Sequence, residues 1–142
     1  MLKQIDHIGI AVKNLNQQIE FYSNMLGLTC SGIEDVPEQK VRVGIFKLGN
    51  VRIELLEPTT PDSPIAKFME NRGEGIHHIG YAVENIEQHL KSLEEKNVRL
   101  IDSTPRIGAG GHKIAFLHPK ATFGVLTELC EHQHVTTVNG GE

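Results

Sequence analysis

The sequence has few aromatic residues, almost no cysteine and no long apolar run. Its 142 residues include five Phe, two Tyr and no Trp. Two cysteines, Cys30 and Cys130, are too few for a disulfide framework, so we interpret them as small core residues. No apolar run approaches the roughly 18 residues that a membrane-spanning helix needs. These absences exclude a disulfide-stabilised scaffold and predict no membrane partner.

The charge balance also excludes a class of partner. Acidic residues outnumber Lys and Arg by 18 to 14, which gives a formal net charge of −4. Lys and Arg are not clustered as phosphate contacts require, so we expect a small-molecule partner and no nucleic acid. Apolar residues at 39% and charged residues at 23% are typical of a soluble globular protein. Nothing near Met1 resembles a secretion signal, so a reducing cytoplasm is the expected compartment.

What the sequence does contain is an internal repeat. The segment 6–12, Asp-His-Ile-Gly-Ile-Ala-Val, returns as 77–83, His-His-Ile-Gly-Tyr-Ala-Val. Both copies alternate as strands do, which places His7 on one face with Gly9 and Ala11. A large polar group beside two small residues predicts open space for a ligand next to the imidazole. A repeat this short has to pack on its copy to bury an apolar face.

The segments that follow each copy repeat as well. Asn14 and Asn85 are helix caps, and the apolar spacing after them predicts amphipathic helices, the first over Leu15–Met25. Three short strands are expected after each helix, at 28–30, 41–48 and 51–56 in the first copy and at 98–102, 113–117 and 125–130 in the second. The sequence therefore predicts an α+β fold with two tandem βαβββ modules.

The predicted organisation is one domain over residues 1–135. Module one covers about 1–58, a linker with a short helix covers about 59–74, and module two covers about 75–131. A chain of this length is too short for two independent domains, so the modules must share a core. Residues 135–142 show no periodicity and are expected to be a flexible tail.

Four repeated residues predict a metal site. Aligning the last strand of each module makes Glu54 equivalent to Glu128, as His7 is equivalent to His78. A single strand histidine or glutamate is more often structural than functional, but a fourfold coincidence at matched positions favours ligands. A pseudo-two-fold axis would bring the four together. Imidazole and carboxylate ligands suit Co²⁺, Ni²⁺, Mn²⁺, Fe²⁺ or Zn²⁺, and an octahedral ion would keep two positions for neighbouring substrate oxygens.

At these residues the chain resembles the vicinal oxygen chelate superfamily, which includes glyoxalases, bleomycin resistance proteins and dioxygenases. The resemblance covers residues 5–131 and implies paired βαβββ modules in a curved eight-stranded mixed sheet, a half-barrel with helices outside and a divalent ion inside. Within the superfamily, the stretches closest to the methylmalonyl-CoA epimerase family are 5–12, 53–58, 75–79, 116–120 and 124–129. The His77-His78 pair and the His-Pro-Lys at 118–120 are the more discriminating motifs.

The epimerase resemblance implies a reaction for the site. It is the interconversion of (R)- and (S)-methylmalonyl-CoA by α-proton abstraction, through an enolate that the metal stabilises. The resemblance implies that Glu128 is a metal ligand and an acid/base, that Co²⁺ is the first ion to consider, and that the protein is a homodimer acting on an acyl-CoA thioester.

One position departs from the epimerase pattern and keeps alternatives open. Some epimerases have a second catalytic glutamate where this chain has Val43, so Glu54 or a water would have to supply the second proton transfer. The departure also fits glyoxalase I, which isomerises a hemithioacetal at a site with two histidines and two glutamates. A non-catalytic drug-binding module is a third alternative, although such a binder needs no set of four metal ligands.

Overall fold

The computed structural model describes residues 2–132; the predicted tail at 135–142 lies outside them. The strands are β1 (Gln4–Ala11), β2 (Cys30–Val36), β3 (Val41–Leu48), β4 (Val51–Pro58), β5 (Gly75–Ala82), β6 (Arg106–Ile107), β7 (Lys113–Leu117) and β8 (Thr127–Glu131). The α-helices are α1 (Leu15–Glu20), α2 (Pro64–Arg72) and α3 (Ile86–Glu95). Within the described residues, no helix is long and apolar enough to span a bilayer.

All eight strands belong to one mixed sheet. Their order is β2-β3-β4-β1-β5-β8-β7-β6. The central strands β1 and β5 are antiparallel to each other, and each pairs in parallel with the last strand of its own module, β4 or β8. Counted from the centre of the sheet outward, each module therefore contributes its first, fourth, third and second strand, in that order. The predicted α+β half-barrel built from two βαβββ units is confirmed.

The start of each module helix repeats in detail. The side chains of Asn14 and Asn85 each accept a hydrogen bond from the backbone N–H three residues ahead, at 3.0 and 3.1 Å, as N-cap residues do. Glu57 in β4 accepts the first N–H of α1 at 3.0 Å, and Glu131 in β8 accepts the first N–H of α3 at 2.8 Å. Each helix is thus fixed to the last strand of its own module.

The helices cover different parts of the sheet. α1 and α3 bury Leu15 and Ile86 in two clusters on the outer face of the sheet. α2 packs at one end of the inner face instead, where Ile65 contacts the cluster that contains Val43 and Leu56. Burying a side chain of this size contributes about 1.5–3 kcal/mol, so α2 closes the inner face with apolar contacts. The inner face is the one that carries His7 and Glu54.

Three predicted elements differ from the observed ones in extent or position. The first helix ends as an α-helix at Glu20 and continues as a π-helical turn over Phe21–Met25. The first strand after each helix lies further along the chain than predicted: at Cys30–Val36 instead of 28–30, and at Arg106–Ile107 instead of 98–102. Both are the edge strands of the sheet, which pair on one side only and are mostly exposed, so they lack the apolar alternation that marks a strand in the sequence.

Candidate metal centre

The register of the central strands brings the two repeated histidines together. β1 and β5 pair so that His7 faces Gly80 and His78 faces Gly9. A Cβ atom on Gly80 would lie 2.3 Å from Cε1 of His7, and one on Gly9 would lie 2.3 Å from Cε1 of His78. Each glycine therefore makes room for the imidazole of the other module. The space that the sequence predicted at Gly9 is taken by the His78 ring, and the open space next to His7 lies among the four predicted ligands instead.

The same register places the two glutamates on either side of the histidines. Glu54 in β4 pairs with Gly9, and Glu128 in β8 pairs with Gly80. All four predicted ligands are buried, with 3–5% of each residue exposed. Burying carboxylates is costly unless a cation or hydrogen-bond donors compensate for the lost water. The two buried carboxylates therefore need a compensating positive charge close to them.

Three of the four side chains form a tight cluster. His7 Nε2 lies 2.5 Å and His78 Nε2 lies 3.1 Å from Glu128 Oε1, and the two Nε2 atoms are 3.1 Å apart. One ligand atom from each of these residues lies within 4.8 Å of the others. Glu54 stands just outside this group, with Oε1 3.8 Å from His7 Nε2.

The chemistry of this cluster fits a divalent ion. Glu128 Oε1 is buried and has no hydrogen bond of acceptable geometry, despite the two nearby nitrogens. Buried polar atoms are normally satisfied, so an unpaired carboxylate oxygen between two imidazoles needs explanation. Two imidazole nitrogens and a carboxylate oxygen converging on one point form a donor set for a borderline or hard metal ion. The structure therefore contains a candidate His/Glu metal site.

A second group of polar residues contacts His7 and Glu54 and holds them in place. Asp6 Oδ2 lies 2.7 Å from His7 Nδ1, and Arg52 Nη2 lies 3.0 Å from Asp6 Oδ2 and 2.9 Å from Glu54 Oε2. His132 Nε2 lies 2.6 Å from Asp6 Oδ1. Sequence reasoning missed these residues. The position of Asp6 directly before a repeated histidine was a usable signal, but His132 reaches the site only through the tertiary fold.

A repeated irregularity explains how Asp6 reaches its histidine. The pairing of β1 with β5 slips by one residue at Asp6 in β1 and by one residue at His77 in β5. Such β-bulges leave one residue unpaired and redirect its side chain. His77 Nδ1 consequently lies 2.9 Å from His78 Nδ1. Strict alternation along the sequence predicts that His77 lies on the opposite face from His78, and this prediction is wrong because alternation does not hold through a bulge.

The pKa values show how strongly the cluster is coupled. Burial alone would lower the pKa of His7, but the Glu128 carboxylate, aided by Asp6 and Glu54, raises it to about 10. Burial would raise the pKa of Glu128, but the His78 and His7 imidazoles lower it to about 2. Burial and the neighbouring His78 lower the pKa of His77 to about 3. Without an ion, a protonated His7 therefore compensates for Glu128.

A cavity of about 190 Å³ opens beside His78. Its walls are mostly apolar, with Gln39 and Arg106 among the polar exceptions; the other lining residues include Val41, Leu56, Ile65, His77, Ile101, Phe116 and Leu126. A smaller space beside it is lined by all four predicted ligands and by Val43, which is almost fully buried. Val43 therefore forms part of the wall of the site, and its side chain can neither accept nor donate a proton.

The glycine-rich stretch at 108–111 forms one edge of this smaller space. It is a tight turn in which the Gly110 N–H donates to the Glu34 carboxylate at 2.8 Å. Glu34 lies in β2 and the turn lies between β6 and β7, so this contact joins the two edges of the sheet.

Comparisons with known proteins agree with this geometry. The sequence profile of the Glyoxalase/Bleomycin resistance protein/Dioxygenase superfamily matches residues 6–116. The uncharacterized protein YqjC of Bacillus subtilis is 48% identical over 130 residues, which are 92% of this chain and 93% of that protein. Human mitochondrial methylmalonyl-CoA epimerase is 42% identical over 129 residues, 90% of this chain and 73% of the human protein.

A solved structure extends the agreement to the fold. A variant of Streptomyces coelicolor methylmalonyl-CoA epimerase, in complex with 2-nitronate-propionyl-CoA, superposes with a TM-score of 0.91 at 38% identity. The superposition covers 94% of this chain and 100% of the Streptomyces chain. The chain thus belongs to the methylmalonyl-CoA epimerase family within the Glyoxalase/Bleomycin resistance protein/Dioxygenase superfamily.

Proposed function

We propose that this protein interconverts (R)- and (S)-methylmalonyl-CoA by moving the proton on the α-carbon, with a divalent ion as cofactor. The observation that carries the proposal is the buried Glu128 oxygen, which has no hydrogen bond although it lies between two imidazole nitrogens. Membership of the epimerase family supplies the substrate, since its members include enzymes named for methylmalonyl-CoA.

The ion would be held by His7, His78, Glu128 and Glu54. Glu54 lies next to the other three and can approach them by a rotation of its side chain, because Oε1 is already 3.8 Å from His7 Nε2. Such an ion would act as a Lewis acid on the negative charge that develops at the substrate oxygens. Co²⁺ is the first ion to test, and Ni²⁺, Mn²⁺, Zn²⁺ and Fe²⁺ accept the same ligand types.

Glu128 and Glu54 are the groups available to move the proton. They are on β8 and β4, on either side of the central pair of strands, so they can reach opposite faces of a substrate lying over that pair. Glu128 Oε1 contacts the two imidazoles without a hydrogen bond of acceptable geometry, whereas one oxygen of Glu54 is held by Arg52 at 2.9 Å. We infer that Glu128 is the principal base and that Glu54 serves the other face.

The cavity beside His78 suits the acyl end of the substrate. Its volume of about 190 Å³ is enough for a branched malonyl group but not for the whole CoA thioester, which would extend to solvent. Apolar walls would exclude water from the α-carbon, and Arg106, whose Nε already lies 3.0 Å from Asp102 Oδ1, is the cationic side chain in the lining that would meet the free carboxylate. The proposal thus assigns substrate recognition to this cavity and proton transfer to the adjoining ligand cluster.

We further propose that the protein is a cytoplasmic homodimer. Both cysteines are free thiols, as expected in a reducing compartment. Phe21, Met25 and Leu26 are half to three-quarters exposed around the π-helical turn, and exposed apolar patches of this kind often mark an interface. Light scattering of the purified protein tests the assembly, with a single-chain mass of 15.8 kDa as the contradicting result.

Deuterium incorporation tests the proposed reaction. Enantiomerically pure methylmalonyl-CoA is incubated in D₂O with metal-loaded protein, with metal-free protein as the control. We expect deuterium at C2 and formation of the other stereoisomer, both dependent on the ion. No exchange with metal-loaded protein overturns the proposal. Conversion of the methylglyoxal–glutathione hemithioacetal to a lactoyl thioester, in place of exchange, would assign the protein to glyoxalase chemistry instead.

A further inference from the structure

The two predicted histidine ligands have different neighbours at equivalent positions. The residue before His7 is Asp6, and the residue before His78 is His77. Both are the unpaired residue of a β-bulge in the central strand pair. Each directs a polar atom to Nδ1 of the following histidine, at 2.7 Å for Asp6 Oδ2 and at 2.9 Å for His77 Nδ1. The bulge therefore builds the same kind of contact twice, with a carboxylate in one module and an imidazole in the other.

The distance between the two Nδ1 atoms constrains where the protons lie. Two ring nitrogens 2.9 Å apart make a hydrogen bond only if one carries a proton and the other has a free lone pair. His78 presents Nε2 to Glu128 Oε1 and His7 Nε2, so Nε2 needs its lone pair to bind an ion. The proton of His78 then lies on Nδ1, and His77 Nδ1 is the acceptor.

We propose that His77 is a positioning residue of the metal site, which accepts the Nδ1–H of His78 and so holds the Nε2 lone pair of His78 toward the cluster. This inference rests on the proposed metal site. Metal-bound histidines commonly donate their other N–H to such a partner, which fixes the tautomer and the ring orientation. The ring of His77 is itself fixed by an edge-to-face contact with Phe68 of α2, at 4.9 Å between ring centroids.

The different partners make the two histidines unequal ligands. A carboxylate acceptor increases the basicity of the histidine that donates to it more than a neutral imidazole does. With an ion bound, His7 would therefore be the stronger donor and His78 the weaker one. A weaker second imidazole would leave more positive charge for polarising a substrate oxygen, at the expense of tight metal retention.

A matched pair of variants tests the role of His77. His77→Asn keeps an acceptor oxygen close to the position of Nδ1, whereas His77→Leu has nearly the same shape and no acceptor. Calorimetric titration of the metal-free proteins with Co²⁺ should give a dissociation constant about 10–100-fold higher for the leucine variant, the usual effect of losing such a partner. The asparagine variant should stay within about threefold of the wild type, because the hydrogen bond is restored.

A third variant copies module one into module two. His77→Asp should bind Co²⁺ more tightly than the wild type and turn over more slowly, a split between affinity and kcat that a purely structural role would not give. Long-range ¹H–¹⁵N correlation spectra of the Zn²⁺-loaded wild type should show the His78 proton on Nδ1. Thermal unfolding of all three variants checks that they fold.

The outcomes separate a failure of the positioning role of His77 from a failure of the proposed metal-dependent function. If the wild type takes up Co²⁺ tightly and the leucine and asparagine variants bind it equally well, His77 only packs against Phe68 and the positioning role is wrong. A His78 proton on Nε2 in the Zn²⁺-loaded protein overturns it as well. If the wild type takes up no divalent ion at all, the metal-dependent function fails and the positioning role fails with it.

Discussion

The two modules repeat their scaffold but differ around their glutamates and histidines. Strand order, helix caps, bulges and the glycines beside the imidazoles all recur. The polar partners do not: module one has Asp6 and Arg52, and module two has His77 and Leu126 at the equivalent positions. Arg52 is 2.9 Å from Glu54, whereas the buried oxygen of Glu128 has no such partner. Duplication thus preserved the positions of the four predicted ligands, while the surrounding residues gave Glu54 a guanidinium partner and left Glu128 with the two imidazoles.

This asymmetry predicts that substituting the two glutamates lowers kcat by unequal factors. Glu128→Gln removes the carboxylate with the unpaired oxygen, so kcat should fall about 10³-fold, within the range measured for the loss of a general base. Glu54→Gln should cost less, about 10²-fold, because Arg52 already restrains that carboxylate. Deuterium exchange from each stereoisomer measures both variants. Equal losses would contradict the assignment of Glu128 as the principal base.

The shared part of the scaffold predicts equal effects in both modules. Gly9→Ala and Gly80→Ala each place a Cβ 2.3 Å from an imidazole carbon, so one ring has to leave the cluster. Each variant should bind Co²⁺ at least about tenfold more weakly, as expected when ligand orientation is disturbed. Gly44→Ala is the control, because its Cβ would contact only flexible side-chain ends of Ile19 and Leu15. A wild-type affinity in Gly9→Ala or Gly80→Ala would show that the rings are not ligands.

Removing Arg52 should make module one resemble module two. Arg52→Leu leaves Asp6 and Glu54 buried without their cation, and breaking such a buried pair costs about 3 kcal/mol of unfolding free energy. Leu126→Arg makes the reverse change and should lower kcat by pairing Glu128. Denaturant unfolding measures the first effect and the epimerase assay measures the second. An Arg52→Leu variant as stable as the wild type would show that the network contributes little.

The pKa shifts predict a smaller, gradual effect of pH on the metal-free protein. Because folding lowers the pKa of Glu128 from 4.5 to about 2, its contribution is complete above pH 4.5 and is lost as the pH falls toward 2. Because folding raises the pKa of His7 from 6.5 to about 10, its contribution is complete below pH 6.5 and is lost as the pH rises toward 10. Folding also lowers the pKa of His77 from 6.5 to about 3, so stability falls as the pH drops below 6.5 as well. Stability in EDTA should therefore be greatest near pH 6.5.

A metal ion should change this dependence. His7 has to release its proton before it can bind an ion, so stabilisation by Co²⁺ should increase with pH above 6.5. Urea unfolding over the pH range, with and without the ion, measures both trends. Glu128→Gln is the control, since it removes the contribution of Glu128 to the acidic limb and leaves those of Asp6 and His77, whose pKa values folding also lowers. A pH profile of metal-free wild type that matches Glu128→Gln would contradict the proposed coupling between Glu128 and the imidazoles.

The sequence was informative where the repeat was strong. It predicted the two modules, the β3 strand at its observed bounds and the caps at Asn14 and Asn85, because periodicity and capping are local signals. It misplaced the edge strands, which are mostly exposed and therefore carry little apolar alternation. It also assigned His77 to the wrong face of β5, because nothing in the local pattern marks a bulge. Three features exist only after the strands pair: the bulges, the packing of each imidazole against the glycine of the other module, and the contacts of Arg52.

The measurement that tests the central claim most directly is a titration of metal-free protein with Co²⁺, followed by calorimetry and by the visible absorption of the ion. We predict one Co²⁺ per chain, with a spectrum typical of nitrogen and oxygen ligands, and a strong loss of affinity in Glu54→Ala and Glu128→Ala. If both variants bind Co²⁺ as the wild type does, the four repeated residues do not form the metal site.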